Sequence, residues 1–198
     1  MSAVSLGAVL LSGCKQAPKE APPLQVAAAA DLSVAFEEMG KLFESRTGQH
    51  VTFSFGASGA LAKQLSEGAP FDLFAAASAA FVDSTVKAGA CDGSTKALYA
   101  RGHLVVWSKK GGVELHTLAE LTNPDIKHIA IANPEHAPYG KAAKEALVSA
   151  KLWPELESKI VQAENVRQAL QFAQTGNADV AIVALSLVAR DDSGRSLA

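Results

Sequence analysis

Surplus charge is what this 198-residue chain lacks most: 18 Lys and Arg stand against 20 Asp and Glu, a formal net charge of −2. That balance leaves no basic footprint for nucleic acid and no polybasic cluster for an anionic membrane surface. Any acidic ligand must therefore be held by local geometry and not by bulk charge. Aromatic residues are also scarce, at 6% within a 48% hydrophobic total. The apolar content rests heavily on alanine, which suits helices packed tightly on a sheet and excludes disordered or fibrous compositions. The five histidines, His50, His103, His116, His128 and His136, are scattered with no pair at metal-ligand spacing, so no free metal-ion site is expected. Cysteine is limited to Cys14 and Cys91, and Cys91 in "KAGACDG" reads as a loop thiol.

No long apolar run is present. The opening stretch "MSAVSLGAVLLSGC" is too short for an ordinary transmembrane helix, which needs about 20 apolar residues. Its tail "LSGC" resembles the lipobox of bacterial lipoproteins, a resemblance that makes residues 1–14 a lipoprotein signal segment and Cys14 the lipidation site. No Lys or Arg precedes the apolar stretch, a departure from a secretory n-region that fits a true start upstream of the recorded one. Residues 15–23, "KQAPKEAPP", then form a Pro-rich tether that would hold the body off a membrane. Lipidation of Cys14 leaves Cys91 alone, so no internal disulfide is expected.

The body starts at Leu24 and is long enough to bury a core, as one or two domains. It reads as strands alternating with helices. "LQVAAAA" (24–30) is an apolar strand, and the helix at 32–48 places Val34, Ala35, Met39, Leu42 and Phe43 on one face before Gly48 stops it. "HVTFSF" with "GALAKQLSEGAP", and "FDLFAAA" (71–77) with "AAFVDSTVKAG" (79–89), repeat the βα order. Three consecutive units argue for a parallel sheet with helices on its faces. The run at 97–112 is strand-like and ends in a Gly-Gly turn. Beyond it come a short helix at "TLAELTNP", a strand at 128–133, a helix at 139–151, a short helix at "PELESK", a helix at 165–176 capped by Asn165, and a buried strand at 178–185. This pattern gives two α/β lobes, 24–101 and 102–188, each a mainly parallel sheet flanked by helices.

Four strand-to-helix junctions share one character: "AADLS" (29–33), "GASGA" (56–60), "PEHAPYG" (134–140) and "AENVRQ" (163–168). Each presents small, polar or backbone-accessible residues at a helix start. In a doubly wound sheet such junctions lie at the carboxyl ends of the strands, where ligands bind. A helix start carries unpaired N–H donors and the positive end of the macrodipole, so it suits an anion without any lysine or arginine. Junctions from both lobes can surround one small oxyanion, with Gly56 and Gly59 letting the backbone approach it.

Ser58, on a strand-turn-helix bend, also raises a serine hydrolase as an alternative. The nucleophile-elbow pattern needs a glycine two residues after the serine, where Ala60 stands. His136 is the one histidine near a candidate junction, and Glu135 beside it supplies no triad geometry. "SKKGG" reads as a solvated turn.

The stretches "VAAAADLSVAFEEM", "VTFSFGASGALAKQLSEGAPFDLFAAAS", "IANPEHAPYGKAAKEAL" and "AENVRQALQFAQTGNADVAIV" resemble, in order and spacing, the molybdate-binding proteins of bacterial ABC transporters. The resemblance covers about residues 24–188. It implies a two-lobe type II periplasmic-binding-protein fold, no reaction and no cofactor. Tetrahedral molybdate or tungstate would be held by hydroxyls and backbone amides, and a monomer, lipid-anchored outside the cytoplasmic membrane, would deliver the anion to a membrane permease. Carried over residue by residue, the ligand contacts fall on Asp31, Ser58, Tyr139 and Val166, with Ser33 as a further hydroxyl. The metal is thus bound only as molybdate, through its oxygens.

Two departures from the family pattern stand out. Asp31 replaces a Ser or Asn, and a carboxylate facing a dianion is repulsive; the expectation is that it caps its own helix and offers only backbone N–H groups. The tyrosine that other members carry at the end of the last strand is Ala184 here, so Tyr139 is expected to supply the phenol. The tail 189–198 reads as a second hinge crossing, truncated relative to the family. Phosphate or sulfate is the alternative ligand; a protonated phosphate also needs an acceptor, and an Asp31 carboxylate facing the pocket would be one.

Overall fold

In the computed structural model, which describes residues 21–197, the alanine-rich run at the start of the body becomes the middle strand of a parallel sheet. β1 (Leu24–Ala29) lies between β2 (Val51–Gly56) and β3 (Leu73–Ala75), in the order β2-β1-β3. Ala27 and Ala28 are fully buried, as a strand covered on both faces requires. Each strand hands over to a helix: α1 (Ser33–Thr47), α2 (Ser58–Ser66) and α3 (Ala79–Lys87). Cys14 and the rest of the signal segment lie outside the described residues, as does most of the tether.

The second sheet has five strands: β4 (Leu104–Lys109), β5 (Ile129–Ala132), β6 (Ile160–Ala163), β7 (Val180–Ala184) and β8 (Gly194–Leu197), in the order β6-β5-β7-β4-β8. The β6, β5 and β7 strands run parallel, while β4 is antiparallel to both β7 and β8. α4 (Pro138–Ser149), α5 (Trp153–Leu156), α6 (Val166–Thr175) and α7 (Leu185–Val188) complete this half. Ile129, Ile131, Val180 and Val183 are fully buried in its centre.

The structure differs from the sequence reading at four places. The apolar residues of α1 do not form its packed side: Val34, Met39, Leu42 and Phe43 are between 40% and 59% exposed. The helix packs through small Ser33 and Gly40 instead, with Phe36 tilted on Phe53 at a centroid distance of 5.9 Å. The run at 97–112 is strand only from Leu104, because only Leu104–Lys109 finds partner strands. The four-residue β6 was not foreseen; so short a segment carries too little alternation to be read. Residues Gly194–Leu197, within the segment read as a second crossing, pair antiparallel with β4 from Gly194 opposite Lys109 to Leu197 opposite Val106.

The carboxyl ends of the two sheets face each other and touch. Ala30 and Ala57 from the first half share one buried cluster with Ala132, Ala137, Val166 and Ala184 from the second. Hydrogen bonds across the seam include Gly59 N–H to the His136 carbonyl at 2.9 Å and Ser186 Oγ–H to the Asp31 carbonyl at 2.8 Å. Arg190 and Glu38 add an ion pair at 3.0 Å, but both side chains are well exposed and such pairs contribute little.

Candidate functional site

The four junctions singled out in the sequence converge on the seam. A cavity of about 10 Å³, room for one water-sized sphere, is walled by Asp31, Ser58, Tyr139 and Val166, with Ala77 and Asn165 beside them. The sequence therefore brings four of its five proposed ligand contacts to one place. Ser33, the fifth, is buried with its hydroxyl unpartnered but lies outside the cavity wall.

Three helices start here, and their first amides have no acceptor within the helix. At α6, the Asn165 side chain caps the Arg167 and Gln168 amides at 3.1 Å each, which leaves the Val166 N–H at the helix tip. In α4, Pro138 takes the first position, where its missing N–H costs nothing, and Lys141 N–H already bonds the Ala137 carbonyl. The Tyr139 and Gly140 amides lie between them.

For α2, the Ser58 N–H is the first of the helix, and the next amide, Gly59, is taken by His136. Gly59 therefore serves the contact between halves and not the approach of an oxyanion: a Cβ built there would lie 2.7 Å from the His136 carbonyl oxygen. The Ser58 hydroxyl is fully buried and accepts from the Ala77 N–H at 3.0 Å. Its own proton remains available for an acceptor in the cavity.

Asp31 is the one acidic side chain in the wall. It is 6% exposed and its Oδ1 has no hydrogen-bond partner. It does not cap a helix as expected, because a 3-10 turn at Ala30–Leu32 intervenes between β1 and α1. The cap positions fall on Ala29 and Leu32, and Asp31 sits mid-turn. Burial pushes its carboxyl above the usual range, while the Tyr139 hydroxyl and its own amide pull the other way.

Both tyrosines of the chain gather on this carboxyl. Burial, and then the Asp31 charge, raise the Tyr139 phenol well above its ordinary value and push Tyr99 up to about 12. The Tyr99 hydroxyl donates to the Ala76 carbonyl at 2.7 Å. The Tyr139 hydroxyl lies against Gly102, where no Cβ fits. Tyr99 and Ser186 were not flagged from sequence. Tyr99 could have been, as one of only two tyrosines, placed at the crossing between the lobes; Ser186 sits in a short helix that carries no periodic signal.

Among the described residues, no triad is assembled around Ser58. Its oxygen is engaged by an amide, and the His136 ring lies 3.2 Å from the Glu164 carbonyl. Among the described residues, no three His, Cys, Asp or Glu side chains gather to hold a metal ion. Cys91 is free and half-buried. The arrangement suits a small anion with several acceptor oxygens, met by amides and hydroxyls from both halves.

Residues 24–197 match the family model for bacterial extracellular solute-binding proteins. The chain is 39% identical over 188 residues to the molybdate-binding protein ModA of Azotobacter vinelandii, covering 95% of this chain and 73% of that protein. It is 37% identical over 179 residues to ModA of Rhodobacter capsulatus, covering 90% and 71%. Among solved structures, the periplasmic molybdate-binding protein of Azotobacter vinelandii superposes with a TM-score of 0.77 at 34% identity, over 82% of this chain and 71% of that one.

Proposed function

The chain belongs to the bacterial extracellular solute-binding protein family, and we propose that it is the substrate-binding component of a molybdate ABC transporter. The observation that carries this reading is the meeting of Ser58, Tyr139 and Val166 at one small cavity, each at a helix start and from both sheets. It is supported by the 39% identity to a molybdate-binding protein.

Molybdate, or tungstate of nearly equal size, is held through its oxygens: the Ser58 hydroxyl and amide from the first lobe, the Tyr139 and Val166 amides and the Tyr139 hydroxyl from the second. None of these donors is a cation, and in a site closed off from water fixed dipoles act strongly on an anion. A tetrahedral oxyanion is larger than the single water-sized space between the closed halves. It enters with the lobes apart and is gripped as they approach. The lobes are 24–101 and 102–188, with β8 laid on the second sheet. The protein acts as a monomer that performs no reaction, and its closed form delivers the anion to a membrane permease. The "LSGC" motif supports a lipid anchor at Cys14 outside the cytoplasmic membrane.

A thermal-shift assay tests the reading, since a ligand that binds only the folded state raises Tm. Molybdate should raise it at concentrations where phosphate does not; the reverse order would contradict the assignment.

A further inference from the structure

The acidic residue in the cavity wall has no role in a site built to hold a dianion, and its surroundings say how it is accommodated. We infer that Asp31 enters the anion complex as a neutral carboxylic acid, so that each dianion bound brings one proton into the cleft. The inference rests on the molybdate reading above.

Asp31 shares its wall with Ser58, Tyr139 and Val166, so an anion touching those donors also meets its carboxyl. No Lys, Arg or His forms an ion pair with it among the described residues. The titratable groups that face it are the Tyr139 phenol from α4 and the Tyr99 phenol from the segment between the sheets. The other polar groups nearby are neutral: Ser58 at the start of α2, Asn165 and Val166 at the start of α6, and, outside the cavity wall, Ser186 of α7 on the Asp31 carbonyl. An ionised carboxylate here would stand unscreened beside two further negative charges.

Protonation reverses that conflict. A neutral carboxyl has one O–H to donate, so it joins the other donors around the oxygens. Tyr139 strengthens the coupling, because its hydroxyl has a single proton. In the free protein that hydroxyl favours ionised Asp31; once turned to the anion it no longer does. Burial raises the carboxyl in the free protein too, but there the Tyr139 hydroxyl and the Asp31 amide oppose it. The bond formed is the Asp31 O–H, the proton comes from water, and no bond of the anion breaks.

Two consequences are measurable. Between the Asp31 pKa of the free protein and that of the complex, affinity falls about tenfold for each unit rise in pH. Asp31→Asn supplies a neutral donor of the same shape and removes the proton requirement.

The experiment is calorimetric titration of the full chain with sodium molybdate between pH 6 and 9, in two buffers of different ionisation enthalpy, for the parent and Asp31→Asn. The expected result is uptake of about one proton per anion by the parent with affinity declining toward high pH, and no uptake, a flat profile and at least about tenfold tighter binding at pH 8 for the variant. Molybdate binding by the parent with no proton uptake and no pH dependence would overturn the inference and leave the molybdate reading standing. So would a loss of about tenfold or more in Asp31→Asn across the whole pH range, the outcome if ionised Asp31 accepts a proton from the ligand. Inorganic phosphate bound more tightly than molybdate, with that binding abolished in Asp31→Asn, would overturn both. The proton count on the parent decides the question even if the variant does not fold.

Discussion

The Gly59 N–H donates to the His136 carbonyl across the seam between the two sheets at 2.9 Å, and a side chain at Gly59 would collide with that same oxygen. Closure thus depends on a position that contributes no ligand contact. Gly59→Ala is expected to favour the parted halves and to weaken molybdate binding about tenfold or more, with the donors themselves intact. Small-angle scattering at saturating molybdate checks it: the variant should keep a larger radius of gyration than the parent, and equal radii with equal affinity would refute the role.

Ser58 carries two bonds, one accepted from Ala77 and one to give to the anion. Ser58→Ala should weaken molybdate binding by about 1.5–3 kcal/mol, the range for a hydrogen bond to a charged group. The half-buried Ala77 amide, left without its acceptor, should lower stability by about 1 kcal/mol as well. Titration and denaturant unfolding read the two effects separately, and an unchanged affinity would remove Ser58 from the ligand contacts.

Tyr139→Phe keeps the ring and the backbone amide and loses one hydroxyl, so the expected loss is smaller, about 1 kcal/mol. An unchanged affinity would assign the ring to packing between the halves. Gly102→Ala, which pushes the hydroxyl off its seat, should reproduce the same loss from the other side of the contact.

Asp31 also makes the free protein sensitive to pH. Its carboxyl is raised in the folded state, so between 3.8 and that raised value the folded chain holds more protons than the unfolded one. Stability from this group therefore falls as pH rises through the window and stays reduced above it. Asp31→Asn should be more stable than the parent at pH 7, with the difference shrinking as pH drops toward 4. Denaturant unfolding of both at the two pH values checks it, and a variant less stable at pH 7 would contradict the assignment.

Much of the site was legible because its parts are local. Asn165 before an apolar helix reads as a cap and Gly-Ala-Ser-Gly as a strand-to-helix bend, and each of these is a backbone statement that short range suffices to make. The fate of Asp31 was not legible, because a one-turn 3-10 insertion decides whether it caps or faces Tyr139. The exposed side of α1 misled for a related reason: periodicity shows which residues share a face, while Phe36 of α1, Phe53 of β2 and Tyr99 from the segment between the sheets decide which face is packed. Gly59 reads as a ligand-approach glycine until its partner, 77 residues later in sequence, is in view.

The most direct test of the account is calorimetric titration of the chain with molybdate, tungstate, sulfate and phosphate in parallel. The account predicts tight one-to-one binding of molybdate and tungstate, well above the other two. Tight binding of phosphate with none of molybdate would contradict it.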